Sequence, residues 1–322
     1  MKRHQLLRAT IGLIFFQSVV SFAQVPAPVF PQRPIELVVP ASAGGGTDIL
    51  SRAFSDAARP FLSQPVVVVN KPGASGGIGH SEVANAKPDG YKLAMVTVEL
   101  VTLPHLGTAK FTMDDFVPIV RLNADPSAVT VRADAPWNTI EEFLDAARKK
   151  KGEISVGNAG TGSIWHLAAV ALEEKTKTQF IHVPFQGGAP AVLALVGGQL
   201  DAVTVSPAEV SAFVASGKLK TLAVMADKRI KSFERVPTLK ERNIDLSIGT
   251  WRGLAAPKGT PPEVISALVA AATSTGQGAQ LRESMDKANL GYSFADSAAF
   301  RSDMVRENAF FKELITKLNI KN

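Results

Sequence analysis

Two glycine-rich loops carry the residue types best suited to binding an anion. Residues 42–48 read Ser-Ala-Gly-Gly-Gly-Thr-Asp and lie between an apolar strand at 37–39 and a helical pattern. Residues 154–163 repeat this order about 115 residues later, and Ser163 is the expected N-cap of the helix that follows. Glycine lets backbone N–H groups approach a partner closely, and a helix N-terminus adds unpaired donors and the positive end of the helix dipole. Two such loops facing each other across a cleft would hold a small anion from both sides.

Neither loop contains lysine or arginine. An anion there is therefore expected to be held by amides and water, without a cationic side chain. The alternative is that the first loop is a plain strand-to-helix turn in which Asp48 serves as a capping charge.

A second possible chemistry is ester hydrolysis, because residues 73–77 match the G-x-S-x-G pattern with Ser75 as nucleophile. The context argues against it: residues 70–73 separate this serine from the preceding strand, and no histidine lies near the C-terminus. Cysteine and the H-x-x-x-H and H-E-x-x-H spacings are absent, and neither glycine loop fits a dinucleotide or triphosphate pattern. We therefore expect no metal and no cofactor, and interpret His166 as a hydrogen-bonded structural residue.

Glu99 follows a predicted strand at 92–98, at the carboxyl edge where open α/β sheets bind ligands. One interpretation places its carboxylate in the site, where it would favour a ligand with an ammonium group. The other makes it a solvent-facing loop residue.

The order of elements predicts an α/β protein with right-handed βαβ units and a mostly parallel sheet. Strands are expected at 117–122 and 128–131, with 123–126 between them as a connection. Thr139 and Glu142 form a predicted capping box. In the first helix, the apolar positions at helical spacing include Ile49, Phe54 and Phe61.

The N-terminus reads as a secretory signal peptide, with a basic start, a short apolar run at 11–16 and cleavage after Ala23. A lone N-terminal anchor is the alternative. Removing three basic residues from a chain of formal net charge +6 leaves about +3, which is weak support for nucleic-acid or membrane binding. A mature length of about 300 residues suggests two lobes. We expect a soluble periplasmic monomer that does not bind nucleic acid.

Nine short motifs, in order from about residue 34 onward, resemble the Bug family, the substrate-binding receptors of tripartite tricarboxylate transporter systems. The motifs are Val38-Val39-Pro40 with Gly44-Gly45-x-x-Asp48, Asn70-Lys71-Pro72-Gly73-Ala74-x-Gly76-Gly77, Pro88-Asp89-Gly90-Tyr91, Asp115-Phe116-x-Pro118, Gly160-x-Gly162-Ser163, His182-Val183-Pro184-Phe185-x-Gly187, Gly197-Gly198-Gln199-x-Asp201, Val236-Pro237-Thr238 with Glu241, and Trp251-x-Gly253-x-x-x-Pro257-x-Gly259-Thr260-Pro261.

The resemblance implies a periplasmic-binding-protein fold of type II, with two α/β lobes, a ligand cleft between them and two crossing segments. Lobe 1 would hold residues 24–125 plus 250–322, and lobe 2 would hold 126–249. The chain would be a non-catalytic receptor that closes on a small carboxylate, an organic acid or amino acid. Its partner would be a membrane permease or, alternatively, a periplasmic sensor receptor.

The resemblance also implies which residues hold one carboxylate of the ligand. They are Ser42, Ala43, Gly45, Thr47 and Asp48 in the first loop, Gly160, Thr161, Gly162 and Ser163 in the second, and Ala74, Ser75 and Gly76 on one side. Glu99 departs from the family pattern, which usually has a small polar residue there, so the far end of the pocket is expected to differ.

Overall fold

The computed structural model describes residues 30–318. The predicted signal peptide and its cleavage site lie outside these residues. Eleven strands occur in the described part of the chain: β1 (Ile35–Val39), β2 (Val66–Asn70), β3 (Lys92–Thr97), β4 (Phe116–Pro126), β5 (Ala128–Arg132), β6 (Ile154–Asn158), β7 (Phe180–Pro184), β8 (Ala202–Val203), β9 (Leu219–Val224), β10 (Gly249–Pro257) and β11 (Tyr292–Ala295).

Ten α-helices connect or flank these strands within residues 30–318. They are α1 (Gly46–Ala58), α2 (Gly77–Ala84), α3 (Glu99–Thr102), α4 (Ile140–Lys149), α5 (Ile164–Thr176), α6 (Gly188–Val196), α7 (Pro207–Ala215), α8 (Pro262–Gln277), α9 (Ala279–Lys287) and α10 (Ser297–Leu318). No helix of this described stretch has both the length and the apolar character needed to cross a membrane.

The strands form two separate sheets. The first has the order β11-β4-β10-β3-β1-β2, and the second has the order β7-β6-β8-β5-β9. Strand β1 pairs in parallel with β2 and β3, and β6 pairs in parallel with β7 and β8. The remaining pairings are antiparallel: β10 pairs with β3 and β4, β11 pairs with β4, and β5 pairs with β8 and β9. The prediction of a mostly parallel sheet is therefore wrong; both sheets are mixed.

The chain passes from the first sheet to the second through a single residue. Strand β4 ends at Pro126, Ser127 follows, and β5 begins at Ala128. The return passage lies beside it, since the N–H of Ser127 donates to the carbonyl of Ile248 (2.9 Å). The expected connection at 123–126 is instead part of β4, which remains paired with β10 as far as Gly249. Two adjacent crossing segments of this kind can act as a hinge.

Helix α1 buries a slightly different face from the one its apolar pattern suggested. Leu50 and Phe54 of α1 are buried, whereas Ile49 is 37% exposed. Phe61, which lies beyond the end of α1 in the short 3-10 helix Arg59–Phe61, is 45% exposed. Helix α1 packs against β2, α8 and α9, and these contacts bury the face that carries Leu50 and Phe54. Two of the expected inward positions therefore face solvent.

The predicted caps are largely present. Ser163 is the N-cap of α5 and accepts a hydrogen bond from the N–H of His166 (3.3 Å). At α4, the N–H of Glu142 donates to Thr139 Oγ1 (3.2 Å), but the Glu142 carboxylate accepts from the N–H of Asn138 rather than Thr139. The hydrogen bond from the N–H of Glu142 to Thr139 is thus confirmed, whereas the reciprocal bond of the capping box, from the N–H of Thr139 to Glu142, is replaced by one from Asn138.

Candidate functional site

A small cavity lies between the two sheets, at the carboxyl ends of β1, β3 and β6. Its volume is about 50 Å³, which is room for a few water molecules. Residues from both sides line it, including Pro40, Thr47, Gly76, Thr97, Glu99, Ser163, Trp165, Gly188, Glu209 and Arg252. The two sides are therefore closed on each other with little free space between them.

The N-termini of four helices meet at this cavity. Thr47 belongs to the first turn of α1, Ile164 to that of α5, Gly188 to that of α6 and Glu209 to that of α7; all four line the space. Each of these N-termini carries the positive end of a helix dipole. Since α1 follows the first sheet and the other three belong to the second, both sides of the cleft attract anions.

A buried arginine adds a fixed positive charge. Arg252 on β10 is only 2% exposed and lines the cavity. Its Nη1 lies 2.6 Å from the Asp125 carboxylate, and its Nε donates to Thr47 Oγ1 (3.0 Å). A Cβ at position 46 would lie 2.9 Å from its Nη2, so the guanidinium lies against the glycine loop. The expectation of a site without a cationic side chain is therefore wrong.

The glycine loops themselves carry no cationic residue, and Arg252 reaches them from a strand about 200 residues further along the chain. The signal available in the sequence was an arginine directly before the apolar run Gly253-Leu254-Ala255-Ala256. A charged residue is rarely buried without a partner. Asp125, in the stretch expected to be a connection, is that partner.

Glu209 is a second residue that the sequence reasoning missed. It lies in the first turn of α7 and accepts weakly from the N–H and Oγ of Ser206 (3.4 and 3.5 Å). Its other oxygen reaches the opposite side of the cleft and accepts from the N–H of Gly46 in α1 (3.5 Å). Burial raises the pKa of Glu209, and the neighbouring Arg252 and the backbone donors offset only part of that rise. In the sequence, the capping-box spacing of Ser206 and Glu209 was the pattern that placed this glutamate at a helix N-terminus.

Glu99 is only 7% exposed, so its interpretation as a solvent-facing loop residue is wrong. One carboxylate oxygen accepts from the N–H of Ile164, in the first turn of α5 (2.9 Å). The other accepts from Thr97 Oγ1 (2.5 Å). The carboxylate of Glu99, from the first side, thus caps a helix of the second side.

Five of the predicted ligand residues line the cavity: Thr47, Ser75, Gly76, Glu99 and Ser163. The others do not line it: Ser42, Ala43, Gly45, Asp48, Ala74, Gly160, Thr161 and Gly162. Their role as ligand contacts stays a prediction.

Asp48 has partners within its own lobe. Its carboxylate accepts from the N–H of Gly44 (2.9 Å), from Arg52 and from Asn70. Burial alone would raise the pKa of Asp48, but these hydrogen bonds outweigh burial and lower it. None of these contacts is to a backbone N–H of α1, so whether Asp48 acts as a capping charge stays a prediction.

The second glycine loop also uses its backbone internally. The N–H of Gly160 donates to Asn158 Oδ1 (3.0 Å), and the N–H of Gly162 donates to His166 Nδ1 (3.1 Å). His166 is thus hydrogen-bonded as interpreted, and burial and its neighbour His182 lower its pKa to about 4. A neutral imidazole is what the acceptor role of Nδ1 requires.

The hydrolase alternative fails at Ser75. Its Oγ donates to the carbonyl of Thr161 across the cleft (2.6 Å), and no histidine is among the described residues that line the cavity. A serine nucleophile needs a base within hydrogen-bond reach. No group of metal-binding side chains occurs within residues 30–318 either.

Two α/β lobes, two adjacent crossing segments and an anion-attracting cleft between them define the class of two-lobed periplasmic solute-binding proteins. The chain belongs to the tripartite tricarboxylate transporter receptor family, which it matches over residues 50–320. This confirms the resemblance to the Bug family and the expectation of a receptor rather than an enzyme.

Three solved structures illustrate the relationship. A TctC solute-binding protein from Polaromonas, solved without ligand, is 58% identical, with a TM-score of 0.67 over 90% of this chain and 100% of that chain. The periplasmic binding protein BugD is 32% identical, with a TM-score of 0.85 over 91% and 99%. MatC from Rhodopseudomonas palustris, with bound malate, is 26% identical, with a TM-score of 0.83 over 89% and 100%.

Proposed function

We propose that this protein captures a small carboxylate, an organic acid or an amino acid, in the cleft between its lobes and delivers it to a membrane permease. The observation that carries the proposal is the convergence of four helix N-termini and the Arg252 guanidinium on one closed cavity. Such an arrangement binds an anion through preorganised donors in a site shielded from water. The malate bound by the related MatC is a ligand of this kind.

Capture requires that the lobes open and close, and we propose that lobe 1 comprises residues 24–125 and 250–322 and lobe 2 residues 126–249. The hydrogen bonds that cross the cleft in the closed form include those from Ser75 Oγ to the carbonyl of Thr161, from the N–H of Ile164 to Glu99, and, at 3.5 Å, from the N–H of Gly46 to Glu209. A ligand that bridges the lobes adds to these contacts and shifts the equilibrium towards closure.

The comparison with the Polaromonas protein supports such a movement. Its sequence is more similar to this chain than that of BugD, yet its TM-score is lower, 0.67 against 0.85. A different angle between two otherwise similar lobes lowers a whole-chain score in this way. That protein was solved without ligand.

Membership of the tripartite tricarboxylate transporter receptor family supports delivery to a permease. The predicted signal peptide would place the protein in the periplasm, on the side from which such a permease takes its substrate. Removal of residues 1–23 during export, detected by N-terminal sequencing of the periplasmic protein, is the expected outcome.

A thermal-shift screen of the mature protein tests the binding function. The ligands are acetate, malate, adipate, aromatic acids and amino acids, with matched uncharged amides as controls. A ligand present at 100 times its dissociation constant stabilises the folded state by about 2.7 kcal/mol, which such a screen detects. Stabilisation by carboxylates and not by their amides is expected. If no carboxylate stabilises the protein, the proposed function is wrong.

A further inference from the structure

Two of the helix N-termini at the cavity are occupied by the protein's own carboxylates, and each carboxylate comes from the opposite lobe. Glu99 of lobe 1 accepts from the N–H of Ile164 at the start of α5. Glu209 of lobe 2 accepts from the N–H of Gly46 at the start of α1. The positions where a ligand anion would bind are thus already filled in the closed form.

The two carboxylates are held very differently. Glu99 has two short hydrogen bonds, 2.9 Å to Ile164 and 2.5 Å to Thr97. The three hydrogen bonds of Glu209 are all long, 3.5 Å to Gly46 and 3.4 and 3.5 Å to Ser206. Of the two carboxylates, Glu209 is therefore the one that a ligand can displace at the lower cost in free energy.

The charges around Glu209 do not balance a second anion. Arg252 is the cation that faces it, and the guanidinium already pairs with Asp125. Helix α6 contributes no titratable side chain. Among the residues that line the cavity, Glu99 on α3 is the other charged side chain, and the Asp48–Arg52 pair of α1 is outside this lining. An incoming carboxylate beside ionised Glu209 would add a like charge in a buried space.

We propose that Glu209 is a specificity-determining residue that competes for the carboxylate seat at the start of α1, and that it takes up one proton from solvent when a ligand carboxylate binds. The inference rests on the proposed function, since it concerns the same cleft. Protonated Glu209 no longer repels the ligand, and its O–H can donate to the ligand carboxylate. Burial already raises the pKa of this side chain in the closed form, which agrees with an easily protonated group.

The sign of the pH dependence follows from this coupling. The bound anion raises the pKa of Glu209 further, so binding takes up a proton between the pKa of the free protein and that of the complex. Within that window, affinity falls as the pH rises, by up to about tenfold per pH unit. Outside the window, affinity is constant.

The test compares the wild type with Glu209→Gln, a neutral isostere that keeps the size of the side chain. The matched control is Glu142→Gln, which removes a capping carboxylate at α4, a helix whose residues do not line the cavity. Calorimetric titration with acetate, malate and adipate, from pH 5.5 to 8.5 in two buffers of different ionisation heat, measures both affinity and proton uptake.

For the wild type and Glu142→Gln, we expect proton uptake and weaker binding at high pH. For Glu209→Gln, we expect no uptake, a flat pH profile and binding at least about tenfold tighter at the alkaline end, since the like charge is gone. Carboxylate binding that is detected for Glu209→Gln but not for the wild type or Glu142→Gln would also support the proposal. Equal affinity and equal proton uptake in all three proteins would refute it and leave the binding function intact. Failure of every carboxylate to bind any of them would refute both.

Discussion

Replacement of Gly160 by alanine is the sharpest test of lobe closure. A Cβ at this position would lie 2.6 Å from Ser75 Oγ, which belongs to the opposite lobe. This separation is shorter than real Cβ contacts allow, so the serine must rotate away from the carbonyl of Thr161. A lost hydrogen bond of this kind costs about 1 kcal/mol, or roughly fivefold in the closing equilibrium. Ligand affinity should therefore fall at least about fivefold.

The change also strains the backbone, and a matched control separates the two effects. Gly160 has φ of +117°, which an alanine adopts with difficulty. Gly152 also has a positive φ, +71°, but a Cβ there would have nothing within 4 Å. Gly152→Ala should thus lose about 1–2 kcal/mol of folding stability through backbone strain, while its affinity for a carboxylate stays at the wild-type value.

A double-mutant cycle with Ser75→Ala isolates the contact itself. Removing the Oγ abolishes the clash, so Gly160→Ala should weaken binding less in the Ser75→Ala background than in the wild type. Calorimetric titration with malate measures affinity, and urea denaturation measures stability. If Gly160→Ala binds as tightly as Gly152→Ala, the lobes do not close as the structure shows, and the reasoning fails.

Three further predictions concern charge, packing and pH. Arg252→Met should abolish carboxylate binding. It should also destabilise the fold by about 3 kcal/mol, because Asp125 remains buried without its partner. In urea denaturation, the double variant with Asp125→Asn should recover stability, but it should not recover binding. Leu50→Ala should cost about 2–4 kcal/mol of unfolding free energy and Ile49→Ala less than about 1, and a reversed order would contradict the observed face of α1. Burial lowers the pKa of His80 to about 4. Between pH 7 and 4 this histidine therefore becomes protonated in the unfolded chain while it stays largely neutral in the folded protein. The free energy of unfolding should fall by about 3 kcal/mol over this range. In the His80→Phe variant, the decrease in unfolding free energy between pH 7 and 4 should be smaller by about this amount. An equal decrease in the variant and the wild type would contradict the assignment.

Much of the architecture could be predicted from the chain alone, because it depends on local pattern. The glycine loops do follow strands and open onto helices, and Ser163 does cap α5. The family resemblance extended these local signals to two lobes and a cleft between them. Patterns within about ten residues were sufficient, since turns, caps and helix starts are short-range features.

The charge of the site was decided only by the tertiary structure. Glu209 meets Gly46, and Arg252 meets Thr47 and Asp125, across more than a hundred residues of chain. No local pattern reports which distant side chain faces a glycine loop. The burial of Glu99 likewise depends on the arrival of α5 from the other lobe.

The sequence by itself thus determined that two glycine loops open onto helix N-termini, because glycine spacing and capping residues are local features of the chain. Only the tertiary structure decided that two of the protein's own carboxylates and one buried guanidinium share that space. The physical reason is that electrostatic energy depends on distances between groups brought together by folding, and not on their spacing along the chain.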